Sequence, residues 1–355
     1  MKILTVVGAR PQFIKAAPVG RALRQAGGDE FMVHTGQHYD HGMSQVFFDE
    51  LGIPAPQVNL EIGSGHHGWQ TGKMLEGIEA ILLREKPDWV LVYGDTNSTM
   101  AGALAAAKLQ IPLAHVEAGL RSYNREMPEE HNRVLTDHCA DLLFCPTETA
   151  AANLRKEGIT QGVHQVGDPM YDAVLQFSEA AEKKSTILQA LGLTPKQYSL
   201  ATLHRPANVD DEAILREILA AFEQSGEKII FPVHPRTRHS IDRFGIELAS
   251  APNIHPIAPL GYLDMLALEK NARVILTDSG GMQKEAYFFQ VPCITLREET
   301  EWVETLEDGA NVLTGADRER ILAEFSADKH VSRWADHFGD GHAAETIADL
   351  LSRYL

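Results

Sequence analysis

The stretch 89–117, WVLVYGDTNSTMAGALAAAKLQIPLAHVE, decides the fold. It opens on five apolar residues, Trp89 to Tyr93, and closes on a second apolar run, Pro112 to Val116, with the small-residue segment Met100 to Leu109 between them. Runs this short and this uniformly apolar belong to strands buried on both faces, as in a parallel sheet, and a parallel pair needs a crossover helix to join it. Both runs also stop at a carboxylate, Asp95 and Glu117. The same design recurs outward in both directions. Ile3 to Val7 leads to Arg10, Tyr198 to Leu203 leads to His204, Ile229 to Val233 leads to His234, and Val274 to Thr277 leads to Asp278-Ser279-Gly280-Gly281. Open parallel sheets bind ligands beyond the carboxyl ends of their strands, so these residues mark the expected site.

A chain of 355 residues, 44% hydrophobic and 7% aromatic, has material for two medium cores. Its formal net charge of -17 argues against a nucleic-acid partner, because phosphate backbones are held by clustered Lys and Arg. An anionic small molecule would need a local basic pocket. The three cysteines, Cys139, Cys145 and Cys293, form neither an even framework nor a CxxC pair, which implies a reducing, cytoplasmic setting. The opening MKILTVVG is shorter than a membrane span and is broken at Ala9-Arg10-Pro11. It reads as a first buried strand, and no membrane partner is expected.

In the first half, strands are expected at 3–7, 31–35, 89–93, 112–117 and 142–145, with helices near 12–26, 68–86 and 100–109. Met74, Leu75, Ile78, Ile81 and Leu82 give the 68–86 segment one apolar face. Gly167-Asp168-Pro169 then breaks the rhythm, with Asp168 placed to cap a new helix and Pro169 at its first position; the domain boundary is set there. The second half repeats the alternation without repeating the sequence. Strands are expected near 198–203, 229–233, 254–257, 273–277 and 292–296, and helices near 211–224, 262–270 and 281–289. A last amphipathic helix, Gly341 to Tyr354, is expected to cross back onto the first domain. The expected fold is α/β: two Rossmann-like doubly wound parallel-sheet domains, 1–168 and 169–340, facing a cleft, with 341–355 returning to the first.

A literal GxGxxG at Gly63, Gly65 and Gly68 lacks the acidic strand-end residue of a dinucleotide site, since Glu76 and Glu79 fall inside the 68–86 helix. It reads as a loop. TDSGG at 277–281 is a strand end, a turn of small residues and a helix start. Backbone N–H groups of Ser279, Gly280 and Gly281 at a positive helix end suit a diphosphate, although a simple cap by Asp278 or Ser279 accounts for the same residues. Glu285, one turn on, is spaced to accept from two ribose hydroxyls, or is a solvated helix residue. GARPQFIK at 8–15 sets Arg10 and Lys15 about another strand-to-helix turn, as phosphate ligands or as surface charges. Asp95 would serve equally well as a helix cap. Glu117 ends an apolar run, where a charge is costly unless paired or functional, and Arg121 is the nearby partner to expect. Glu129 and Glu130 fall in the first turn of a helix starting at Pro128, where the macrodipole favours acids anyway, and Arg133 lies on the face of Glu129. His204-Arg205 and His234-Pro235-Arg236 add strand-end cations. Taken together they describe an anion pocket facing three carboxylates. Among 16 histidines, the pairs His38 and His41 or His66 and His67 have no HExxH frame and no third ligand, so no metal is expected.

GARPQFIK at 8–15, GDTNST at 94–99, HVEAGLRS at 115–122, PEEHNR at 128–133, HRPAN at 204–208, VHPR at 233–236 and TDSGGMQKEA at 277–286 together closely resemble the non-hydrolysing UDP-N-acetylglucosamine 2-epimerases. The match continues to GDGHAAETI at 339–347 and so covers nearly the whole chain. This resemblance implies a glycosyltransferase-B-like domain pair, usually dimeric, that interconverts UDP-GlcNAc and UDP-ManNAc. The sugar C2 proton is not adjacent to a carbonyl, and the family is understood to eliminate UDP as that proton leaves. UDP then adds back to the 2-acetamidoglucal with protonation on the other face. Such a route needs acid/base carboxylates and diphosphate binding but no redox cofactor, so none is expected. By the resemblance, Asp95, Glu117 and Glu129 are acid/base residues of the first domain, and His204 stabilises the departing diphosphate. Arg10, Lys15, Arg133, Arg205 and His234 hold phosphates or orient the carboxylates. Ser279, Gly280 and Gly281 bind the diphosphate in the second domain, and Glu285 the ribose. Trapping the glucal would require the cleft to close by motion near residue 168.

Two segments depart from the family pattern. Thr300-Glu301-Trp302-Val303-Glu304 replaces the Thr-Glu-Arg-Pro-Glu of many bacterial members and resembles members acting on UDP-2,3-diacetamido-glucuronic acid. That sugar is the alternative substrate, with Lys73, Arg236 and Arg238 as cations for its C6 carboxylate. GQHYDHGM at 36–43 lacks the basic residue found after GQH in activator-regulated members, so allosteric activation is not expected. Other classes are separable by chemistry. A retaining glycosyltransferase would not need the cluster of Asp95, Glu117 and Glu129, a hydrolysing epimerase would release free N-acetylmannosamine, and an inert UDP-sugar sensor would leave C2 untouched.

Overall fold

A computed structural model describes residues 1–37, 48–248, 251–327, 331 and 334–354. The chain divides into two compact units, Met1–Gln176 together with Asp336–Leu355, and Phe177–Ala335. The first changeover falls inside the helix Pro169–Lys184. Asp168, fully buried, caps the start of that helix by accepting from the Met170 amide at 2.8 Å.

The first unit holds a seven-stranded parallel sheet of β1 (Lys2–Val7), β2 (Asp29–His34), β3 (Val58–Asn59), β4 (Trp89–Tyr93), β5 (Leu113–Val116), β6 (Leu142–Cys145) and β7 (Val163–Gln165), in the order β3-β2-β1-β4-β5-β6-β7. The second holds a six-stranded parallel sheet of β8 (Ser199–Thr202), β9 (Ile229–Pro232), β10 (Ile254–Ile257), β11 (Val274–Thr277), β12 (Cys293–Thr295) and β13 (Asn311–Leu313), in the order β10-β9-β8-β11-β12-β13. Each sheet therefore starts at its middle, winds one way for three strands and returns to wind the other way. This is the doubly wound, Rossmann-like arrangement, and its topological switch points lie between β1 and β4 and between β8 and β11. Arg10 and Asp95 follow the strands at the first switch point; His204 and Asp278 to Gly281 follow those at the second.

Local sequence explains the close packing. In the helix Asn97–Lys108, Ala101, Gly102, Ala103, Ala105 and Ala106 are buried, and a Cβ at Gly102 would stand 3.1 Å from Val92 and 3.3 Å from Val6. A glycine here lets the helix lie close to β1 and β4 without displacing the Val92 and Val6 side chains. Met74, Ile78, Ile81 and Leu82 bury one face of the helix His67–Glu85 against the same core. The glycines at 63 and 65 lie in the loop ahead of that helix and Gly68 in its first turn, where the Gln70 side chain donates to the Gly63 carbonyl at 2.6 Å.

The helix Ala343–Arg353 belongs to the first unit and packs on the helix Arg10–Gln25 through Ile347, Ala348 and Leu351. Its start is held by Asp172, which accepts from the Ala344 amide at 2.7 Å; burial pushes that carboxyl up to about 6. Among the described residues no helix is long and apolar enough to cross a membrane, and no three His, Cys, Asp or Glu side chains gather as a metal ion would require. His38, His41 and most of the GQHYDHGM segment lie outside the described residues.

Candidate active site

The first switch point is tied together by Gln12, a buried residue that sequence reading passed over. Its side-chain oxygen accepts from the amides of Gly8 and Ala9 at 2.7 and 3.0 Å, and its side-chain nitrogen donates to the Tyr93 carbonyl at 2.9 Å and to Thr96 and Thr99 at 3.0 Å. One amide thus joins the turn after β1 to the turn after β4. Arg10, half-buried, opens the helix Arg10–Gln25. Lys15 is buried in the same helix, and its ammonium is paired with the Glu117 carboxylate. Arg121, the partner expected for Glu117, instead binds Asp137 at 2.7 Å and Glu157 at 2.6 and 2.7 Å.

Glu117 follows β5 with φ at 73°, a left-handed conformation that a side chain with a Cβ adopts at a cost of about 1 kcal/mol or more. Across from it, Gly94 turns the chain after β4 with φ at 63°, and a Cβ there would stand 3.1 Å from a Glu117 carboxylate oxygen. Glycine 94 therefore satisfies both the turn and the close approach. Asp95 pairs with Arg133, and its carbonyl accepts from the Asn132 side chain at 2.9 Å. Arg133 is buried and makes its second ion pair with Glu130, at 3.1 Å. Glu130 also accepts from both the amide and hydroxyl of Ser122 and from the Tyr123 amide, each at 2.9 Å. Glu129 lies beside it in the first turn of the helix Pro128–Cys139, half-buried. The structure thus gathers Lys15 with Glu117 and Arg133 with Asp95 at neighbouring strand ends.

A buried polar group underlies both turns. His115, on β5, has Nε2 2.8 Å from the Gly94 carbonyl oxygen and Nδ1 2.7 Å from Asp137 Oδ1. Asp137 Oδ2 accepts from the Gly119 amide at 3.1 Å and from Arg121 at 2.7 Å. Burial opposes ionisation of Asp137, yet His115 and Arg121 outweigh it and hold the carboxyl below its usual range.

In the second unit Asp278 is the hub. Fully buried, it accepts from the amides of His204 at 3.0 and 3.1 Å and Arg205 at 2.9 Å, from Asn208 at 3.2 Å, and pairs with His204 Nδ1 at 2.9 Å. Burial pushes its carboxyl up, but His204 and the amides prevail and bring it down to about 2. Arg205 Nε donates to the Asp278 carbonyl at 2.9 Å, so β8 and β11 are clasped at their carboxyl ends. The His204 and His234 rings lie 5.5 Å apart, and His234 caps the helix Pro235–Arg243. Ser279, rather than Asp278, caps the helix Gly280–Phe288, accepting from the Met282 amide at 3.4 Å. The first turn of that helix is Gly280 and Gly281. Glu285, buried, accepts from the Tyr262 hydroxyl at 3.0 Å, and burial followed by the Glu285 charge pushes the Glu269 carboxyl well above its usual range.

Trp302 is also buried here. A Cβ at Gly280 would stand 3.3 Å from its indole nitrogen, and the Lys284 ammonium lies 4.0 Å from its ring centre. Two of the cations considered for a sugar carboxylate have partners of their own: Lys73 pairs with Glu76 at 2.8 Å and Arg236 with Asp210 at 2.5 Å.

Two doubly wound parallel-sheet domains, each with its charged residues at the strand ends of a switch point, place the protein in the class of glycosyltransferase-B-like α/β proteins. Residues 21–352 match the model of the UDP-N-acetylglucosamine 2-epimerase family, and the chain belongs to that family. It is by that membership a UDP-sugar 2-epimerase, an isomerase. A Methanococcus maripaludis protein named as a UDP-N-acetylglucosamine 2-epimerase homolog is 56% identical over 99% of both chains. The UDP-2,3-diacetamido-2,3-dideoxy-D-glucuronate 2-epimerase of Pseudomonas aeruginosa is 48% identical over 99% of this chain and 100% of its own. The crystal structure of Methanocaldococcus jannaschii UDP-GlcNAc 2-epimerase in complex with UDP-GlcNAc and UDP superposes with a TM-score of 0.94 at 47% identity, covering 99% of this chain and 100% of that one.

Proposed function

We propose that the protein interconverts UDP-GlcNAc and UDP-ManNAc by eliminating and re-adding UDP. The observation that carries this reading is the full-length similarity to an enzyme crystallised with UDP-GlcNAc and UDP, combined with paired carboxylates and cations at the strand ends of the first unit. In the elimination, the C2–H bond breaks to a carboxylate, the C1–O bond breaks with its electron pair leaving on UDP, and a C1=C2 double bond forms. Re-addition reverses these changes with the proton delivered to the opposite face.

Asp95, Glu117 and Glu129 supply the acid/base groups. Lys15, paired with Glu117, and Arg133, paired with Asp95, orient these two carboxylates. Ser279, Gly280 and Gly281 offer backbone N–H groups at a helix start to the diphosphate, with Arg10, Arg205 and His234 as further phosphate ligands and His204 stabilising the leaving UDP. Glu285 accepts from the ribose hydroxyls. No redox cofactor enters this route. The enzyme works in the cytoplasm as a homodimer on a soluble nucleotide sugar.

The reading is tested by giving the purified enzyme UDP-GlcNAc and UDP-2,3-diacetamido-glucuronic acid in parallel and comparing kcat/KM. The expected result is turnover of UDP-GlcNAc with kcat/KM at least about 10-fold higher than for the acid, because two of the three cations considered for its carboxylate, Lys73 and Arg236, are already paired with Glu76 and Asp210. Preference for the acidic sugar would overturn the substrate assignment; free N-acetylmannosamine among the products would overturn the non-hydrolysing route. In the same assay Asp95→Asn should abolish turnover and leave UDP binding nearly unchanged, and wild-type activity in that variant would remove Asp95 from acid/base catalysis.

A further inference from the structure

We infer that His115 is a positioning residue which carries a proton on both ring nitrogens and, as an imidazolium, fixes the peptide between Gly94 and Asp95. His115 is fully buried, and its Nε2 faces the Gly94 carbonyl oxygen at 2.8 Å, an atom that only accepts. Nε2 must therefore carry a hydrogen. Its Nδ1 faces Asp137 Oδ1 at 2.7 Å, so the remaining question is which of the two holds the proton between them. The other oxygen of Asp137 already accepts from Arg121 at 2.7 Å and from the Gly119 amide at 3.1 Å, the surroundings of an ionised carboxylate. With Asp137 ionised, Nδ1 is the donor, and both nitrogens are protonated.

The charges around it balance. The groups facing this ring are Asp137 from the helix Pro128–Cys139, the Gly94 peptide beyond β4 and, through Asp137, Arg121, whose guanidinium continues to Glu157. Two cations and two carboxylates form one chain that runs from the buried His115 and Asp137 through the buried Arg121 to the exposed Glu157, with each charge beside its opposite. A charged donor to a carbonyl makes a stronger and shorter hydrogen bond than a neutral one, and here it lands on the single peptide plane whose nitrogen belongs to Asp95. His115 also stands two residues before Glu117, which directly follows the strand that carries His115. One imidazolium thus sets the direction in which Asp95 leaves β4 relative to Glu117.

The inference rests on the acid/base reading of Asp95, and the experiment separates the two. Ring 15N spectra of the histidine-labelled wild-type enzyme at neutral pH, with His115 assigned by through-bond correlation of its ring to its own backbone amide, should show a directly bonded hydrogen on each ring nitrogen. A hydrogen on only one of them would overturn the inference, and this measurement needs no folded variant. In kinetics, His115→Gln should lower kcat for UDP-GlcNAc about 10- to 100-fold, while KM and the Kd for UDP stay within about threefold, the pattern of a misplaced reacting group. Wild-type kcat in a folded His115→Gln enzyme, or an equal loss of UDP affinity, would contradict it. Asp95→Asn measured alongside assigns the failure: an active Asp95→Asn enzyme refutes the acid/base reading itself, whereas an inactive one beside an unimpaired His115→Gln refutes only the positioning role.

Discussion

The Lys15 ammonium and the Glu117 carboxylate are paired with only 7% and 6% of their side chains exposed, and they come from positions 102 residues apart. A pair this deep does not hold the fold up cheaply, since desolvating both charges offsets much of their attraction. Glu117 itself has a positive φ, the kind of backbone strain that accompanies functional sites.

Removing one member should therefore cost more than removing both. Lys15→Met removes the buried cation paired with the Glu117 carboxylate and should destabilise the protein by about 3 to 5 kcal/mol. The double variant Lys15→Met with Glu117→Gln should regain at least half of that loss in urea denaturation and remain inactive. A double variant as unstable as the single one would contradict the pairing, and recovered activity would contradict the role of Glu117.

Asp278 makes stability depend on acid. Its carboxyl is lowered from 3.8 to about 2, so its contribution is fully present above the unfolded value and is lost as pH falls through the folded one. The shift corresponds to about 2 kcal/mol. The stability gap between wild type and Asp278→Asn should be constant from pH 7 to about 5 and shrink between about pH 4 and 2. A gap that widens on acidification would show that the His204 and backbone contacts do not hold the ionised form.

Glu285 and Tyr262 predict how the ribose is read. Wild type should bind UDP about 10-fold or more tighter than 2′-deoxy-UDP, the worth of one hydrogen bond to a carboxylate. Glu285→Gln should erase the difference, and Tyr262→Phe should reduce it by loosening the carboxylate that its hydroxyl holds at 3.0 Å. Equal discrimination in all three proteins by calorimetry would place the ribose elsewhere.

Trp302 and Lys284 should behave as a unit. Trp302→Arg sets a second cation against the buried Lys284 ammonium and removes the ring beneath it, at a cost of about 3 kcal/mol or more. Adding Lys284→Glu should recover at least about 1 kcal/mol by turning the repulsion into an ion pair. If thermal unfolding finds the two substitutions simply additive, the stacked cation has no energetic role.

Much of the fold was legible because ten of the thirteen strands among the described residues, β1, β2, β4, β5, β6, β8, β9, β10, β11 and β12, lie on short largely apolar segments that end at a charge or a turn. The strands β3, β7 and β13 span two or three residues, too few to carry a period of their own. The strand-end charges were legible for the same reason as the strands. Their partners were not, because pairing is set by the order of strands in the sheet. Proximity in sequence pointed Glu117 to Arg121, whereas the helix after β1 reaches past the end of β4 to bring it Lys15. Gln12 and Glu130 were passed over, one being neutral and the other resembling a helix-dipole acid, yet Gln12 accepts from the Gly8 amide and donates to the Tyr93 carbonyl, and Glu130 accepts from Ser122, Tyr123 and Arg133. The signal available for Gln12 was its place three residues after a helix start with no capping side chain at Ala9.

The most direct test follows the sugar C2 proton. UDP-GlcNAc incubated with the enzyme in D2O should yield UDP-ManNAc in which C2 carries deuterium, with UDP and 2-acetamidoglucal detectable by NMR on prolonged reaction. UDP-ManNAc that keeps its C2 proton, or UDP-GlcNAc that binds without exchange or epimerisation, would contradict the account.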